Sequence, residues 1–329
     1  MTDTLNSETT DAGPDREGPT DAEMAEAAGL ELRALTDHVR IERVVVLVNP
    51  LSGSVGPNAA AEVTAILAEY PCTAEVVSLE GPRIDAQIDE ALASSPDVLF
   101  VLAGDGTARA VASRAGPKGP LVAPLPGGTM NMLPKALYGT ADWKLALRSA
   151  LEEGASQSVS GGLVEGQAFY CAAILGSPAL WAPAREAMRT GKLSLAWQYG
   201  RRALKRAFTG RIRFALDGGD KARTEALVLI SPMISRALDE PIGLEAAAMD
   251  PTDTSQAFRL LATALFSDWR QDASVTTKPA RRIDVWSRSK IPAVIDGEPT
   301  LLPHETRVTF IPRAFQALAP NPPAAEDSV

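Results

Sequence analysis

Three short glycine-containing segments hold the residues that could do chemistry. They read NPLSGSVG at 49–56, AGDGT at 103–107 and PGGTMN at 126–131, and each follows a run of apolar residues. Glycine lets backbone N–H groups approach a ligand closely, and the N-terminus of a following helix favours negative charge. The three segments therefore predict a binding site for a ligand that carries phosphate.

Asp105 stands between two glycines in the second of these segments. A carboxylate at this place could hold Mg²⁺ beside phosphate groups. It could equally cap the following helix or stabilise a turn, because Asp-Gly corners are common. The segment alone leaves both interpretations open.

Several familiar site types are excluded. The Gly-Lys pair at 191–192 is followed by Leu193, so no GxxxxGK[ST] loop exists there, and the GDG corner lacks the third glycine of GxGxxG. The chain has two histidines and two cysteines, Cys72 and Cys171, without a CxxC spacing. A histidine metal site, a Ser-His-Asp triad and a disulfide scaffold are therefore excluded, and acid-base chemistry falls to carboxylates.

The segments that must position these residues alternate between strand and helix. Near-continuous apolar strands are predicted at 43–48, 74–79, 97–102 and 121–125, with helices at 58–70, 84–92, 108–114, 131–138 and 143–151. Such an alternation is typical of a parallel sheet with helices on both faces. Ligands of these sheets bind beyond the carboxyl ends of the strands, where the three glycine segments fall.

The pattern changes after about residue 153, where shorter strands dominate. They are predicted at 158–164, 167–174, 212–216, 226–230, 283–287, 293–295 and 307–311, with helices at 183–188, 193–208 and 256–266. The predicted fold class is therefore α/β with two domains: a doubly wound parallel-sheet domain, followed by a β-rich, β-sandwich-like domain.

The domain boundaries follow from the same pattern. Residues 1–40 are predicted to be a disordered acidic tail with a candidate short helix, 41–155 the α/β domain, and 156–313 the β-rich domain. The strand near 314–320 is a candidate to return to the α/β domain, and 321–329 form a second disordered tail.

Charge and hydropathy limit the partners. The net charge is −9, and residues 1–40 hold ten Asp or Glu against three Arg. A nucleic-acid partner is not expected, because such proteins carry clustered positive charge. No apolar run is long enough to span a bilayer and no secretory signal is visible, so we expect a protein that is soluble or peripheral. The two distant cysteines favour the cytoplasm, and a peripheral protein would then lie at the inner membrane.

Four motifs in register resemble the diacylglycerol kinase catalytic domain family. They are NPxSG after the first strand, GDGT after the third, PxGTxN after the fourth, and VIDGEPTLLP at 294–303. The resemblance spans about residues 43–320 and extends to the related sphingosine, ceramide and NAD kinases. It implies ATP and Mg²⁺ as cofactors, and transfer of the ATP γ-phosphate to a lipid with a free hydroxyl, such as diacylglycerol, ceramide or a sphingoid base.

The resemblance also implies a role for each matching residue. Asp105 would hold Mg²⁺, and Glu298 or Asp296 would take the proton from the attacking hydroxyl. The nucleotide would be bound by a larger set: Asn49, Ser52, Gly53, Gly104, Asp105, Gly106, Thr107, Gly127, Gly128, Thr129, Asn131 and Lys135. For Asp296 and Glu298, a hairpin turn with a solvated glutamate is the alternative that the DGE segment alone favours.

The chain departs from the family pattern around the GDGT corner. Ala103 replaces a glycine, Arg109 and Ala110 stand where Asn and Glu are usual, and Met132 replaces an aspartate. Arg109 either supplies positive charge to the site or is a solvated helix residue. Two alternatives to a lipid kinase therefore stay open: an NAD kinase-like enzyme, and a non-catalytic protein that binds nucleotide or lipid.

A basic segment at 185–213 is the candidate for membrane contact. It contains nine Lys or Arg and one Glu, and apolar residues recur along one helical face. Such a helix could pack in the core with a solvated basic face, or dock transiently on an anionic membrane surface. The sequence does not indicate the oligomeric state.

Overall fold

The computed structural model describes residues 39–176, 211–235, 242–249 and 275–321. The predicted N-terminal helix, the helices at 183–188, 193–208 and 256–266, and residues 322–329 lie outside these ranges. Most of the basic segment, up to residue 210, does so as well.

The first part of the described chain alternates between buried strands and helices. Its strands are β1 (Arg43–Val48), β2 (Thr73–Ser78), β3 (Val98–Ala103) and β4 (Leu121–Pro126). Its helices are α1 (Ala59–Leu67), α2 (Ile84–Ala93), α3 (Asp105–Ala115), α4 (Met132–Tyr138) and α5 (Trp143–Glu153), with short 3-10 turns at 81–83 and 116–118. Every residue of β3 is buried, as a strand covered by helices on both faces requires.

The second part is rich in antiparallel strands. They are β5 (Gly154–Val164), β6 (Gln167–Phe169), β7 (Ala172–Gly176), β8 (Ile212–Leu216), β9 (Ala222–Thr224) and β10 (Ala226–Ile230). They continue with β11 (Leu244–Met249), β12 (Val275–Ala280), β13 (Arg282–Trp286), β14 (Ile291–Ile295), β15 (Glu298–Leu302) and β16 (Glu305–Pro320). The predicted fold class, a parallel-sheet domain followed by a β-rich domain, is confirmed.

Two sheets contain all of these strands. The first runs β2-β1-β3-β4-β16-β13-β8-β9, with β5 pairing β16 and β6, and the second runs β12-β11-β10-β7-β14-β15. β1 pairs β2 and β3 in parallel, and β3 pairs β4 in parallel. The carboxyl ends of β1, β3 and β4 therefore lie at one edge, and the three glycine segments follow them there.

β16 is the longest strand and has two sets of neighbours. Near its end Ala317 pairs with Val122 of β4 in parallel, and residues 315–320 pair with the first half of β5. Its first half pairs with β13 and with the end of β5. The pairing with β5 shifts register between Ile311 and Phe315, where the strand passes from one set of neighbours to the other. The domain boundaries themselves stay predictions.

One segment predicted as a single strand is wrong, because it forms two strands. The apolar run at 167–174 forms two strands, β6 and β7, which are separated at Tyr170 and Cys171. The backbone N–H groups of both residues donate to the carboxylate of Asp296. A distant side chain therefore interrupts a segment whose composition alone favours one continuous strand.

Cores lie on both faces of the parallel sheet. One cluster includes Leu47, Leu99 and Val101, and another on the opposite face includes Val46, Phe100 and Leu102. A third core fills the β-rich part and includes Phe169. None of the helices in the described part of the chain is long and apolar enough to span a membrane.

Candidate active site

The first and third glycine segments are joined by hydrogen bonds. The Ser54 N–H donates to the Gly127 carbonyl at 3.3 Å. The Ser54 hydroxyl lies 3.4 Å from the Pro126 carbonyl and 3.3 Å from the Gly128 carbonyl. Asn49, where β1 ends, donates its N–H to the Leu102 carbonyl of β3 at 2.9 Å. The loops after three parallel strands therefore form one continuous surface.

Glycine is required where the second and third segments touch. A Cβ on Gly127 would lie 2.8 Å from the backbone N and O of Ala103. A Cβ on Gly128 would lie 3.1 Å from the Gly104 Cα and 3.2 Å from Oδ2 of Asp105. Backbone atoms cannot move aside as a flexible side chain can, so Gly127 permits an approach that any other residue would prevent.

The remaining predicted loop residues lie in the same place. A Cβ on Gly53 would lie 3.3 Å from the Thr129 hydroxyl, and one on Gly104 would lie 3.7 Å from the Ser52 hydroxyl. Thr107 is in the first turn of α3 and is partly buried. The structure thus brings the three predicted glycine segments together at one edge of the sheet.

Asn131 fixes the third segment and connects it to Asp105. Its backbone is left-handed, with φ of 49°, a conformation that asparagine tolerates better than most residues. Its side-chain Oδ1 accepts the Gly128 N–H at 2.7 Å, and its Nδ2 donates to the Gly128 carbonyl at 3.1 Å. Its own N–H donates to Oδ2 of Asp105 at 3.2 Å.

Asp105 is the first residue of α3 and lines a cavity between the two parts of the chain. Burial raises the pKa of its carboxyl, while the Asn131 N–H and the positive charge of Lys135 act in the opposite direction. The helix N-terminus also favours a negative group at this position. A carboxylate held here can attract a cation that accompanies phosphate. Within the described ranges, no three His, Cys, Asp or Glu side chains form a metal-binding cluster.

The DGE segment forms a tight hairpin across the cavity from α3. Asp296 and Gly297 connect β14 to β15, and both have positive φ, 45° and 88°, as a type I′ turn requires. The hairpin alternative suggested by the sequence is therefore the observed backbone. Both carboxylates of the hairpin nevertheless have specific partners.

Asp296 anchors the hairpin to the break between β6 and β7. Its Oδ2 accepts the Tyr170 N–H at 2.8 Å, and its Oδ1 accepts the N–H groups of Cys171 and Ala172 at 2.9 and 3.0 Å. Burial raises the pKa of this carboxyl, and the three amides and the charge of Arg109 oppose that rise. Asp296 also lines the cavity.

Glu298 faces the GDGT corner. Its Oε2 lies 2.5 Å from Nη2 of Arg109, and a Cβ on Gly106 would lie 2.5 Å from its Oε1. Nη1 of Arg109 is 3.4 Å from the Ile295 carbonyl. The Arg109 side chain is only 20% exposed, so its interpretation as a solvated helix residue is wrong.

Sequence reasoning missed several residues of this cavity. Tyr170, Cys171 and Met130 line it together with Asp105 and Asp296. No motif marks Tyr170 or Cys171, because a side chain 126 residues away from Tyr170 places them there. Burial raises the pKa of the Cys171 thiol, and the two aspartates raise it further, so the thiol stays protonated and is a poor nucleophile.

Comparisons with known proteins agree with this arrangement. Residues 43–162 match the family model of the diacylglycerol kinase catalytic domain, so the resemblance seen in the three glycine-containing motifs is confirmed. No curated protein sequence matches the chain.

Three solved structures from Bacillus anthracis str. Sterne share the fold. A diacylglycerol kinase is 16% identical with a TM-score of 0.64, covering 86% of this chain and 99% of its own. A candidate diacylglycerol kinase is 17% identical with a TM-score of 0.66 and the same coverage. A second candidate diacylglycerol kinase is 18% identical with a TM-score of 0.63, and the match covers 87% of this chain and 99% of its own.

Proposed function

We propose that the protein is an ATP-dependent lipid kinase, which transfers the γ-phosphate of ATP to the hydroxyl of a membrane lipid such as diacylglycerol, ceramide or a sphingoid base. The observation that supports this most directly is the approach of Glu298 to Gly106. A carboxylate that can accept a proton thereby lies beside a loop suited to phosphate. The match to the diacylglycerol kinase catalytic domain supports the same chemistry.

The three glycine segments would bind the nucleotide. Segments 49–56 and 126–131 form one side through Asn49, Ser52, Gly53, Gly127, Gly128, Thr129 and Asn131, and segment 103–107 forms the other through Gly104, Asp105, Gly106 and Thr107. Backbone N–H groups and the N-terminus of α3 would stabilise the phosphate charge. Lys135, which is exposed on α4 and acts electrostatically on Asp105, would add positive charge.

The residues present fit Mg²⁺ that arrives with the nucleotide. Mg²⁺ commonly uses one or two carboxylates and completes its shell with phosphate oxygens and water. Asp105 provides such a carboxylate next to the predicted phosphate loops. When bound, the ion would neutralise charge on the transferring phosphate.

Proton removal falls to the DGE hairpin. As the lipid oxygen bonds to the γ-phosphorus, the bond from that phosphorus to the bridging oxygen of ADP breaks, and the hydroxyl proton passes to a carboxylate. Glu298 is the first candidate because its side chain is 56% exposed and can reach a substrate. Asp296 accepts three backbone N–H groups and would mainly hold the hairpin in place.

The membrane lipid requires the enzyme to reach a bilayer surface. The basic segment at 185–213 remains the proposed contact with anionic lipid, and a peripheral position at the cytoplasmic face follows from it. Only residues 211–213 of that segment are described, and Arg213 is exposed on β8.

The test is ATP-dependent phosphorylation of a panel of acceptors by the full chain. Diacylglycerol, ceramide, sphingosine, monoacylglycerol and NAD are offered with labelled ATP, and Asp105→Asn is compared with wild type. We expect lipid to be labelled by wild type and at least tenfold less by Asp105→Asn. Asp85→Asn, which removes an exposed carboxylate paired with Arg114, is the control.

Two outcomes contradict the proposal. Labelling of NAD alone would identify an NAD kinase-like enzyme. Nucleotide binding without labelling of any acceptor would identify a non-catalytic binding protein. Unchanged activity in Asp105→Asn would remove the metal role from that residue.

A further inference from the structure

Arg109 is placed on the same face of α3 as Asp105, one helical turn later. Both side chains line the cavity between the parallel-sheet part and the β-rich part. The guanidinium contacts Glu298 through Nη2 and approaches the Ile295 carbonyl through Nη1. One arginine therefore connects the helix that follows the GDGT corner to both sides of the DGE hairpin.

The charge balance of the cavity makes this arginine important. Asp105 and Asp296 line the cavity, and Glu298 lies against Gly106 and is paired with Arg109, which also lines the cavity. Arg109 is the one positively charged residue among the described residues that line the cavity. A phosphate group entering near Gly106 would therefore meet three carboxylates and the Arg109 guanidinium, while Lys135 adds positive charge from its exposed position on α4.

We propose that Arg109 binds the terminal phosphate of the nucleoside triphosphate and that Glu298 holds its guanidinium until the nucleotide arrives. The inference rests on the proposed function, because it assumes nucleotide at the three glycine segments. A guanidinium can bond two oxygens of a phosphate as well as of a carboxylate. Arg109 would exchange one anion for the other, leaving Glu298 available for the acceptor hydroxyl.

This arrangement predicts effects of opposite sign. If Glu298 competes with phosphate for Arg109, removing the Glu298 charge tightens the binding of a triphosphate, and removing the guanidinium weakens it. Neither change should alter the binding of AMP, which has no phosphate beyond the first. A residue that only supports the fold would weaken AMP and ATP equally.

Calorimetric titration of the full chain tests the proposal. The probes are a non-hydrolysable ATP analogue, ADP and AMP, each with Mg²⁺, and the proteins are wild type, Arg109→Gln, Arg109→Lys and Glu298→Gln. We expect Arg109→Gln to weaken the ATP analogue about tenfold or more, the range for a hydrogen bond to a charged group. Arg109→Lys should lose less affinity for the analogue than Arg109→Gln does. Glu298→Gln should bind the analogue about threefold more tightly, because a partly exposed ion pair contributes only a small free energy.

A matched control is available on the same helix. Arg114 pairs with Asp85 and Asp89 on the outer surface, and its side chain is 34% exposed. Arg114→Gln removes a carboxylate-paired guanidinium from the same helix, at a residue that does not line the cavity. We expect it to bind all three nucleotides as wild type does.

The results separate this inference from the proposed function. The inference is wrong, even if lipid is phosphorylated, if Arg109→Gln loses equal affinity for AMP and for the ATP analogue. It is also wrong if Glu298→Gln binds the analogue more weakly than wild type does. If Arg109→Gln loses affinity for the analogue only, and wild type phosphorylates no lipid, the inference about Arg109 is supported and the proposed kinase activity is rejected. If Arg109→Gln does not fold, Arg109→Lys and Glu298→Gln decide; if wild type binds no nucleotide, the inference is wrong.

Discussion

The carboxylate of Asp296 and the backbone N–H of Tyr170 are joined by a 2.8 Å hydrogen bond, which connects the DGE hairpin to the break between β6 and β7. The same carboxylate accepts two further amides, from Cys171 and Ala172. A motif that resembles a catalytic one in sequence therefore has a structural task, which is distinct from the catalytic task that we propose for it. The two tasks can be separated by measurement.

Asp296→Ala should destabilise the protein. The substitution leaves three backbone N–H groups in a partly buried place without their acceptor, and an unsatisfied buried donor costs about 1–3 kcal/mol. We expect the free energy of unfolding, measured with urea, to fall by about 1–3 kcal/mol or more. Asp220→Ala, at an exposed position in the loop between β8 and β9, should change it by less than about 0.5 kcal/mol. An equal effect of both substitutions would show that the three hydrogen bonds do not matter for stability.

Asp105→Asn should change the pH dependence of stability. Burial raises the pKa of Asp105 above its ordinary value of 3.8, so the folded protein binds this proton more tightly than the unfolded chain. The stability contributed by Asp105 is then fully present below pH 3.8 and is lost as pH rises through the folded pKa. Asp105→Asn lacks this loss.

Urea unfolding at pH 4 and pH 7 measures this difference. We expect the free energy of unfolding of Asp105→Asn, relative to wild type, to be higher at pH 7 than at pH 4. A relative stability that falls between pH 4 and pH 7 would mean that the ionised carboxylate stabilises the fold. Asp85→Asn serves as the exposed control.

Gly106→Ala should separate stability from activity. Gly106 lies in the first turn of α3, where alanine is favoured over glycine by up to about 1 kcal/mol. Its Cβ would lie 2.5 Å from Oε1 of Glu298, so the glutamate must move. We expect unchanged or higher thermal stability with lipid phosphorylation reduced about tenfold or more, because the substitution displaces the proposed base, Glu298.

Gly81→Ala is the matched control for that substitution. A Cβ on Gly81 would meet no atom within 4 Å. We expect both its thermal stability and its activity to stay close to wild type. Full activity in Gly106→Ala would mean that the observed position of Glu298 is not the working one.

Cys171 should resist alkylation in the folded protein. The thiolate is the reactive form, and burial beside Asp296 and Asp105 raises the pKa of Cys171 well above 9.0. Iodoacetamide at pH 8 should therefore modify Cys171 only after unfolding in urea, as peptide mass spectrometry would record. Rapid modification of the native protein would mean that the cavity opens readily.

The sequence predicts the parallel sheet well because its signals are local. The sequence predicts β1 with its observed bounds, Arg43–Val48, because five of its six residues form an unbroken apolar run. All five are buried in the structure. The helix after β4 is predicted from residue 131 and begins at Met132, but the helix after β3 is predicted from residue 108 and begins three residues earlier, at Asp105. The convergence of the three glycine segments then follows from the geometry of parallel strands.

The β-rich part is less predictable because its pairing is long-range. β9 and β15 have only three and five residues, and mostly exposed side chains, so neither has a clear alternating pattern. The break at Tyr170 depends on Asp296, and the partner of Arg109 lies 189 residues away. No window of local sequence contains either relationship.

The position of β16 has a consequence for how the protein is made. Ala317 pairs with Val122 of β4, so the parallel sheet acquires its fifth parallel strand from a segment that a ribosome synthesises 195 residues after Val122. The buried face of β4 is complete only when residues 315–320 have left the exit tunnel. Domains generally fold as units during synthesis, but here the edge of β4 stays unpaired until the β-rich strands that precede residues 315–320 have been synthesised.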